Sequence, residues 1–306
     1  MKPTLFHKTK HLKENQLMPI NSACPFCGSE RRTVVTLLQT NPDVSLLKCL
    51  DCHAASASQI PTKETLDEYY QSYYSFVPPN SDVERVTFEG TERIAYHIAN
   101  RLNKYLIKRS IHVLDFGGGD GSISLSLANK LLKQGFNKID ITVVDYNETM
   151  VQPNNDRLSL TRYKTIDELP PQLYDFVIAS AIIEHLPNAK ETLTHLLNSL
   201  DNGGVFYART PYVVPLIELA NRIRFKWDFT FPAHIHDLGQ YFWKEFISVI
   251  GLQLLESKPS IVEASLKKHF FRALIAYTIK TPWYLFGRRY SWVGGWEVFV
   301  QKSSQF

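Results

Sequence analysis

Four cysteines lie between positions 24 and 52, and the rest of the 306-residue chain has none. They form two pairs, Cys24-Pro-Phe-Cys27 and Cys49-Leu-Asp-Cys52, separated by 21 residues. Two C-x2-C knuckles at that distance bring four thiolates to the corners of a tetrahedron, the geometry zinc prefers. Two disulfides or a redox pair are the competing readings. A chain read as cytoplasmic disfavours the first, and neither pair follows a βαβ strand, which the second wants. A structural Zn2+ on Cys24, Cys27, Cys49 and Cys52 is therefore expected, closed to water and away from the chemistry. His53 adjoins the second knuckle, and with four thiols present it reads as a bystander.

The second reactive stretch is "VLDFGGGDG" at 113–121. Glycines cost chain entropy, so four in five positions mark a backbone that turns sharply or is approached closely. A phosphate loop needs G-x-x-x-x-G-K-[ST], and no such Lys follows. A dinucleotide turn wants G-x-G-x-x-G, but Ser122 stands where the third glycine belongs. What stands here is Asp115, Gly117, Gly119 and Gly121, an acid at a strand end followed by alternate glycines. A carboxylate there serves an ammonium group, which S-adenosylmethionine (SAM) carries and neither phosphate ligand does. "ITVVDYNETM" places a second acid, Asp145, at the tip of the next strand. There it suits two ribose hydroxyls, with Tyr146 beside it to cover an adenine. "EHLPN" then places Glu184 and His185 past a fourth strand, where ligands of open sheets sit. An imidazole titrating near neutral pH suits a general base; capping the loop is the plainer role. His234 and His236 in "PAHIHDLGQYFW" stand in the same two readings.

The elements that position these residues alternate. Strands are expected near 111–116, 139–145, 160–164, 174–180 and 204–210, with helices near 121–134, 147–157 and 190–200. A helix from 85 to 108 leads in. Apolar strands alternating with helices imply an α/β doubly wound parallel sheet covered on both faces. The tail adds a helix at 243–250, a strand near 252–258 and a last strand at 296–302. Ahead of this lie an arm at 1–20, a zinc module at 21–60 with short strands in "RRTVVTLLQT" and "SLLKCL", and a tyrosine-rich linker at 61–84. Tyr69, Tyr70, Tyr73 and Tyr74 read as a lid or as a packing stripe.

The segments "VLDFGGGDG", "VVDYNETM", "YDFVIASAIIEHLPN" and "LLNSLDNGGVFYARTPY" resemble the class I SAM-dependent methyltransferases over roughly residues 85–255. The resemblance implies a seven-stranded Rossmann-like sheet whose final strand is antiparallel, in a domain at 85–306 with insertions at 211–242 and 261–293. It implies that Asp115, Gly117, Gly119 and Gly121 hold the methionine and ribose side of SAM. It further implies that Asp145 takes the ribose hydroxyls and that Ser180 and Ala181 lie along the cofactor. The layout also resembles methyltransferases that carry a zinc-binding module before the catalytic fold.

Composition narrows the partners. A net charge of +4 does not argue for nucleic acid. Within the zinc module the cations gather no further than Arg31, Arg32 and Lys48, so an RNA substrate gripped by the ribbon is an alternative with little behind it. A small-molecule, sugar or lipid-linked acceptor is expected, and a SAM-binding partner subunit without turnover is a second alternative. The N-terminus lacks the apolar core of a secretory signal, and no stretch is long enough to span a bilayer, so a cytoplasmic chain is expected. Residues 264–290 hold six Lys or Arg and no acid among aromatic residues. That pattern suits either an interfacial helix meeting anionic lipid or an insertion with a solvated basic face.

Overall fold

The computed structural model describes residues 10–75, 91–225, 229–261 and 270–303; side chains at 71–75 and 270–273 lie outside that description. The expected basic arm up to residue 9, the segment around Pro78-Pro79, the start of the lead-in helix at 85–90 and the basic residues at 264–269 fall outside it too.

The N-terminal part is a hairpin of β1 (Arg32–Gln39) and β2 (Val44–Cys49), followed by β3 (Ala55–Ala57) and α1 (Lys63–Ser75). The apolar-rich segments between the knuckles make the two strands expected of them. After α2 (Thr91–Tyr105) the alternating region runs β4 (Ser110–Phe116), α3 (Ser122–Lys133), β5 (Lys138–Val144), β6 (Leu158–Tyr163) and β7 (Tyr174–Ser180). It continues with α4 (Ala189–Asn198), β8 (Leu200–Tyr212), α5 (Val214–Arg222) and the two-residue β9 (His236–Asp237). The chain then forms α6 (Gln240–Val249), β10 (Gln253–Pro259), α7 (Phe270–Phe286) and β11 (Gly294–Gln301).

The large sheet has the order β10-β11-β8-β7-β4-β5-β6. Strands β4 to β8 pair in parallel, and β11 runs antiparallel to both neighbours, as expected of the final strand. Residues alternate across its faces, as the period-2 pleat requires. Phe176, Ile178, Val205 and Tyr207 face α2 and α3, whereas Val177, Ala179, Phe206 and Ala208 face α4 and α6.

Two features depart from the sequence reading. The expected helix at 147–157 is irregular chain. It is broken by Pro153 and the polar run Asn154-Asn155-Asp156, which favours turns over helix. The insertion at 211–242 also does more than loop over the sheet edge. Its strand β9 pairs with β3, giving a second sheet of order β1-β2-β3-β9. Cys24, Phe26, Cys49 and Ala54 consequently share one core cluster with Phe242 and Trp243 of α6. The Phe26 ring meets Phe242 edge-on at 4.8 Å and His236 at 5.1 Å.

Candidate active site

The glycine turn follows β4 at the carboxyl edge of the sheet. Gly117, Gly119 and Gly121 all have positive φ, at 69°, 61° and 81°. L side chains are strained in that region. Part of what approaches this backbone is the protein itself. A Cβ on Gly117 would sit 2.5 Å from Cγ1 of Ile182, and one on Gly118 would sit 2.6 Å from the Asp115 carboxyl. Both side chains press on the turn, so two of the glycines are fixed by packing before any ligand arrives.

Asp115 is 3% exposed, and its Oδ2 has no hydrogen-bond partner in the described structure. Burial pushes its carboxyl up to about 7, with Asp145 and Asp120 adding to the rise and the Ser124 hydroxyl opposing it. The direction is that of a carboxylate withdrawn from water. An orphaned buried carboxylate is costly unless a cation meets it. Asp145, one residue past β5, accepts from the Gly119 N–H at 2.8 Å and from the Asn147 N–H at 2.8 Å. It thus ties the glycine turn to the second strand tip, and burial raises its pKa despite those two bonds. Tyr146 next to it is 60% exposed. The Lys164 ammonium lies 6.0 Å from its ring centre.

On the other side of β4 from β5, β7 ends in Ser180, whose buried Oγ has no partner among the described residues. Ala181 then turns the chain with φ 57° while its N–H donates to the Arg209 carbonyl at 2.8 Å. The turn leads into a 3-10 segment, Ile183–His185, with Glu184 and His185 both buried. Asp145 is hydrogen-bonded to the glycine turn at Gly119, and the wall that carries Ser180 and Ala181 meets the same turn where Ile182 approaches Gly117, so the tips of β5, β4 and β7 lie side by side at the sheet's carboxyl edge.

His185 accompanies this wall. Its Nδ1 lies 2.8 Å from the Ala233 carbonyl. A carbonyl only accepts, so that nitrogen carries the proton and the lone pair is on Nε2. Nε2 lies 3.9 Å from the Glu184 carboxylate. The His234 ring is 5.0 Å away and the Tyr70 ring of α1 is 6.2 Å away, edge-on. Tyr73 and Tyr74 continue α1, with side chains outside the description. His236 is different. Its Nε2 donates to the Leu186 carbonyl at 2.9 Å, and its Nδ1 faces the Ser56 hydroxyl at 2.9 Å. Both nitrogens are committed, and burial pushes its pKa down to about 4. His236 is thus a neutral pin between β3 and the loop after β7. The same loop is held by the Ile235 N–H, which donates to the Glu184 carbonyl at 2.8 Å. With only two residues, β9 carries no periodic signal that could have foretold this pin.

At the other end of the ribbon, Cys24 Sγ and Cys52 Sγ are 3.5 Å apart, and Cys27 Sγ and Cys49 Sγ are 3.6 Å apart. Those separations are far beyond an S–S bond of about 2.05 Å. They are close to the edge of about 3.8 Å that a tetrahedron with Zn–S of about 2.3 Å demands. One donor atom from each of the four cysteines lies within 4.8 Å of every other, a set compatible with zinc. Gly28 closes the first knuckle with φ 77° and its N–H on the Cys24 carbonyl at 2.8 Å. The His53 ring instead packs against Tyr241 at 5.3 Å, as befits a bystander.

Residues 90–251, more than half of the chain, match the family model described as a methyltransferase domain. Among curated proteins, the chain is 32% identical over 119 residues to the ubiquinone biosynthesis O-methyltransferase of Rickettsia akari, covering 37% of this chain and 45% of that protein. It is 27% identical over 108 residues to the trans-aconitate 2-methyltransferase of Agrobacterium fabrum, covering 34% of this chain and 40% of that protein. The chain thus matches less than half the length of these curated relatives. Among solved structures, it is similar to the plantazolicin methyltransferase BpumL in complex with SAH, at 16% identity and a TM-score of 0.49, covering 79% of this chain and 98% of that one. It is also similar to a complex between the Haloferax volcanii Trm112 methyltransferase activator and a methyltransferase, at 18% identity and a TM-score of 0.48, covering 72% and 95%. With its seven-stranded sheet, its acid-tipped strands and this family match, the chain belongs to the methyltransferase-domain family.

Proposed function

We propose that the enzyme transfers the SAM methyl group to an oxygen of a small-molecule acceptor bound over the loop 180–186. Asp115 receives the ammonium of the methionine moiety, which neutralises its buried charge. Asp145 accepts from the ribose hydroxyls, Tyr146 covers the adenine, and Gly117, Gly119 and Gly121 let the backbone lie against the cofactor. Ser180 and Ala181 line the methionine side. Methyl transfer from a sulfonium is an in-line displacement, so the protein's main task is positioning, with a base where the acceptor is a hydroxyl. The observation that carries this reading is the state of His185: its Nδ1 is locked on Ala233, which puts the Nε2 lone pair at the sheet's carboxyl edge. In an ion-free site that lone pair takes the hydroxyl proton. The relatives from Rickettsia, named as O-methyltransferases, support oxygen as the acceptor atom.

We also propose that Zn2+ occupies the four-cysteine site. Four protein ligands leave it no open position, so it acts on the fold and not on the reaction. His236 carries the ribbon's order to the His185 loop.

A lipid-linked acceptor has one specific observation in its favour. On α7 the side chains of Leu274, Ile275, Tyr284, Leu285 and Phe286 are exposed, and Arg288 and Arg289 follow them. The opposite side of the helix packs through Trp283 on Trp296 and through Lys280 on Ser260. An exposed apolar face with cations at its end suits the surface of an anionic bilayer. No described helix is long and apolar enough to cross one.

One experiment addresses acceptor and base together. The enzyme is incubated with methyl-labelled SAM and with the soluble or the membrane fraction of a cell extract. Label should enter a small molecule, and His185→Ala should lower its rate by about 100- to 10,000-fold, the usual contribution of a general base. Label confined to a lipid-extractable product marks the lipid-linked acceptor; label in RNA, or an undiminished rate in the variant, refutes the reading.

A further inference from the structure

Glu184, His185 and His234 each offer one donor atom, and these atoms all lie within 4.8 Å of one another. Glu184 and His185, in the loop after β7, meet His234 from the insertion whose strand β9 pairs with β3 of the ribbon's sheet. Glu184 and His185 are buried and His234 is half-buried.

Both histidine rings are anchored through Nδ1. His185 Nδ1–H donates to the Ala233 carbonyl at 2.8 Å. His234 Nδ1 lies 2.8 Å from the Thr230 hydroxyl. Nε2 is therefore the atom each ring offers toward the cluster. This is how metal-ligating histidines are oriented, with the distal N–H fixed by a carbonyl or hydroxyl. Two neutral imidazoles and one carboxylate make the donor set used by divalent ions with an open position. An ion about 2.1 Å from each donor in a tetrahedral site wants them about 3.4 Å apart, so the three side chains would close in on it from separations within 4.8 Å.

We infer that Glu184, His185 and His234 bind a second divalent ion of the zinc class, distinct from the one in the ribbon, whose open position takes the acceptor's oxygen. Its role in turnover rests on the reading that the 180–186 loop receives the acceptor; its binding rests on the three side chains alone. With the ion bound, His185 Nε2 is a ligand. The metal then lowers the pKa of the bound hydroxyl, whose proton leaves to water. The oxygen forms its bond to the methyl carbon as the carbon–sulfur bond breaks, and S-adenosylhomocysteine leaves.

Equilibrium dialysis of the whole protein against micromolar zinc, followed by metal analysis, tests the binding. The wild type should hold two zinc ions per chain, and His234→Ala should hold one, with native circular dichroism and unchanged S-adenosylhomocysteine affinity. Glu184→Gln should weaken the second ion at least tenfold. A wild type that stays at one ion overturns the site, and so does a His234→Ala protein that still holds two, which would mark adventitious surface zinc. Neither result depends on the labelled-methyl experiment, so a failure here leaves the methyl-transfer reading standing on its own test.

Discussion

Asp145→Ala should weaken SAM binding by about 10- to 100-fold. The carboxylate's two contacts to ribose hydroxyls would be lost, each charge-assisted bond contributing about 1.5–3 kcal/mol before water refills part of the gap. The structure adds a second cost, because the same carboxylate holds the Gly119 and Asn147 amides. Without it the glycine turn loses its tie to the second strand tip and is less well ordered for the ligand. Asp145→Asn keeps one acceptor oxygen and should lie between the two. Calorimetry with S-adenosylhomocysteine reads the difference, and equal affinities in all three proteins would remove Asp145 from the site.

Cys49→Ser should have the larger effect on stability. Cys49 is fully buried in the core cluster that joins the ribbon to α6. Zinc binding to ribbons of this size is itself folding free energy, about 10–16 kcal/mol in isolated finger peptides, more than a module this small gains from its own core. The variant should lose the ribbon zinc and melt the β1-β2-β3-β9 sheet. The His236 pin to Ser56 would go with it, loosening the loop that bears Glu184 and His185. The expected signature is therefore divided: turnover falls steeply, while affinity for S-adenosylhomocysteine, on the proposal that the glycine turn and Asp145 hold it, changes by less than about threefold. A Cys49→Ser protein with wild-type unfolding temperature and full ribbon zinc would show that the cysteines do not hold the ion.

Much of this architecture is legible in the chain because its local signals agree. Alternating apolar strands and helices announce the parallel sheet, and acids at two strand tips mark its carboxyl edge. Knuckle spacing likewise announces the ribbon. The stretch 147–157 reads as helix only if the pattern of the surrounding βαβ units is extended over it; Pro153 and the three polar residues after it carry the opposing local signal, and that signal wins. The glycine run is legible as a close approach, but not what approaches: Ile182, from a loop 65 positions on from Gly117, is invisible to any local pattern. The least legible feature is β9. Two residues cannot show a period, yet His236 and Asp237 join the ribbon to the insertion, and through it Ala233 and His234 reach His185. Long-range pairing of this kind is decided by tertiary packing, to which sequence periodicity is blind.

The central claim is that this cleft is built for a sulfonium cofactor bearing an ammonium group. Titrating the wild-type protein with S-adenosylhomocysteine near pH 7, in buffers of different ionisation enthalpy, tests it most directly. Burial holds the empty Asp115 carboxyl up at about 7, and an arriving ammonium favours its ionised form. Binding should thus be one ligand per chain with release of a fraction of a proton, and NAD should give no heat. Saturable binding of NAD with none of S-adenosylhomocysteine would contradict the account at its base.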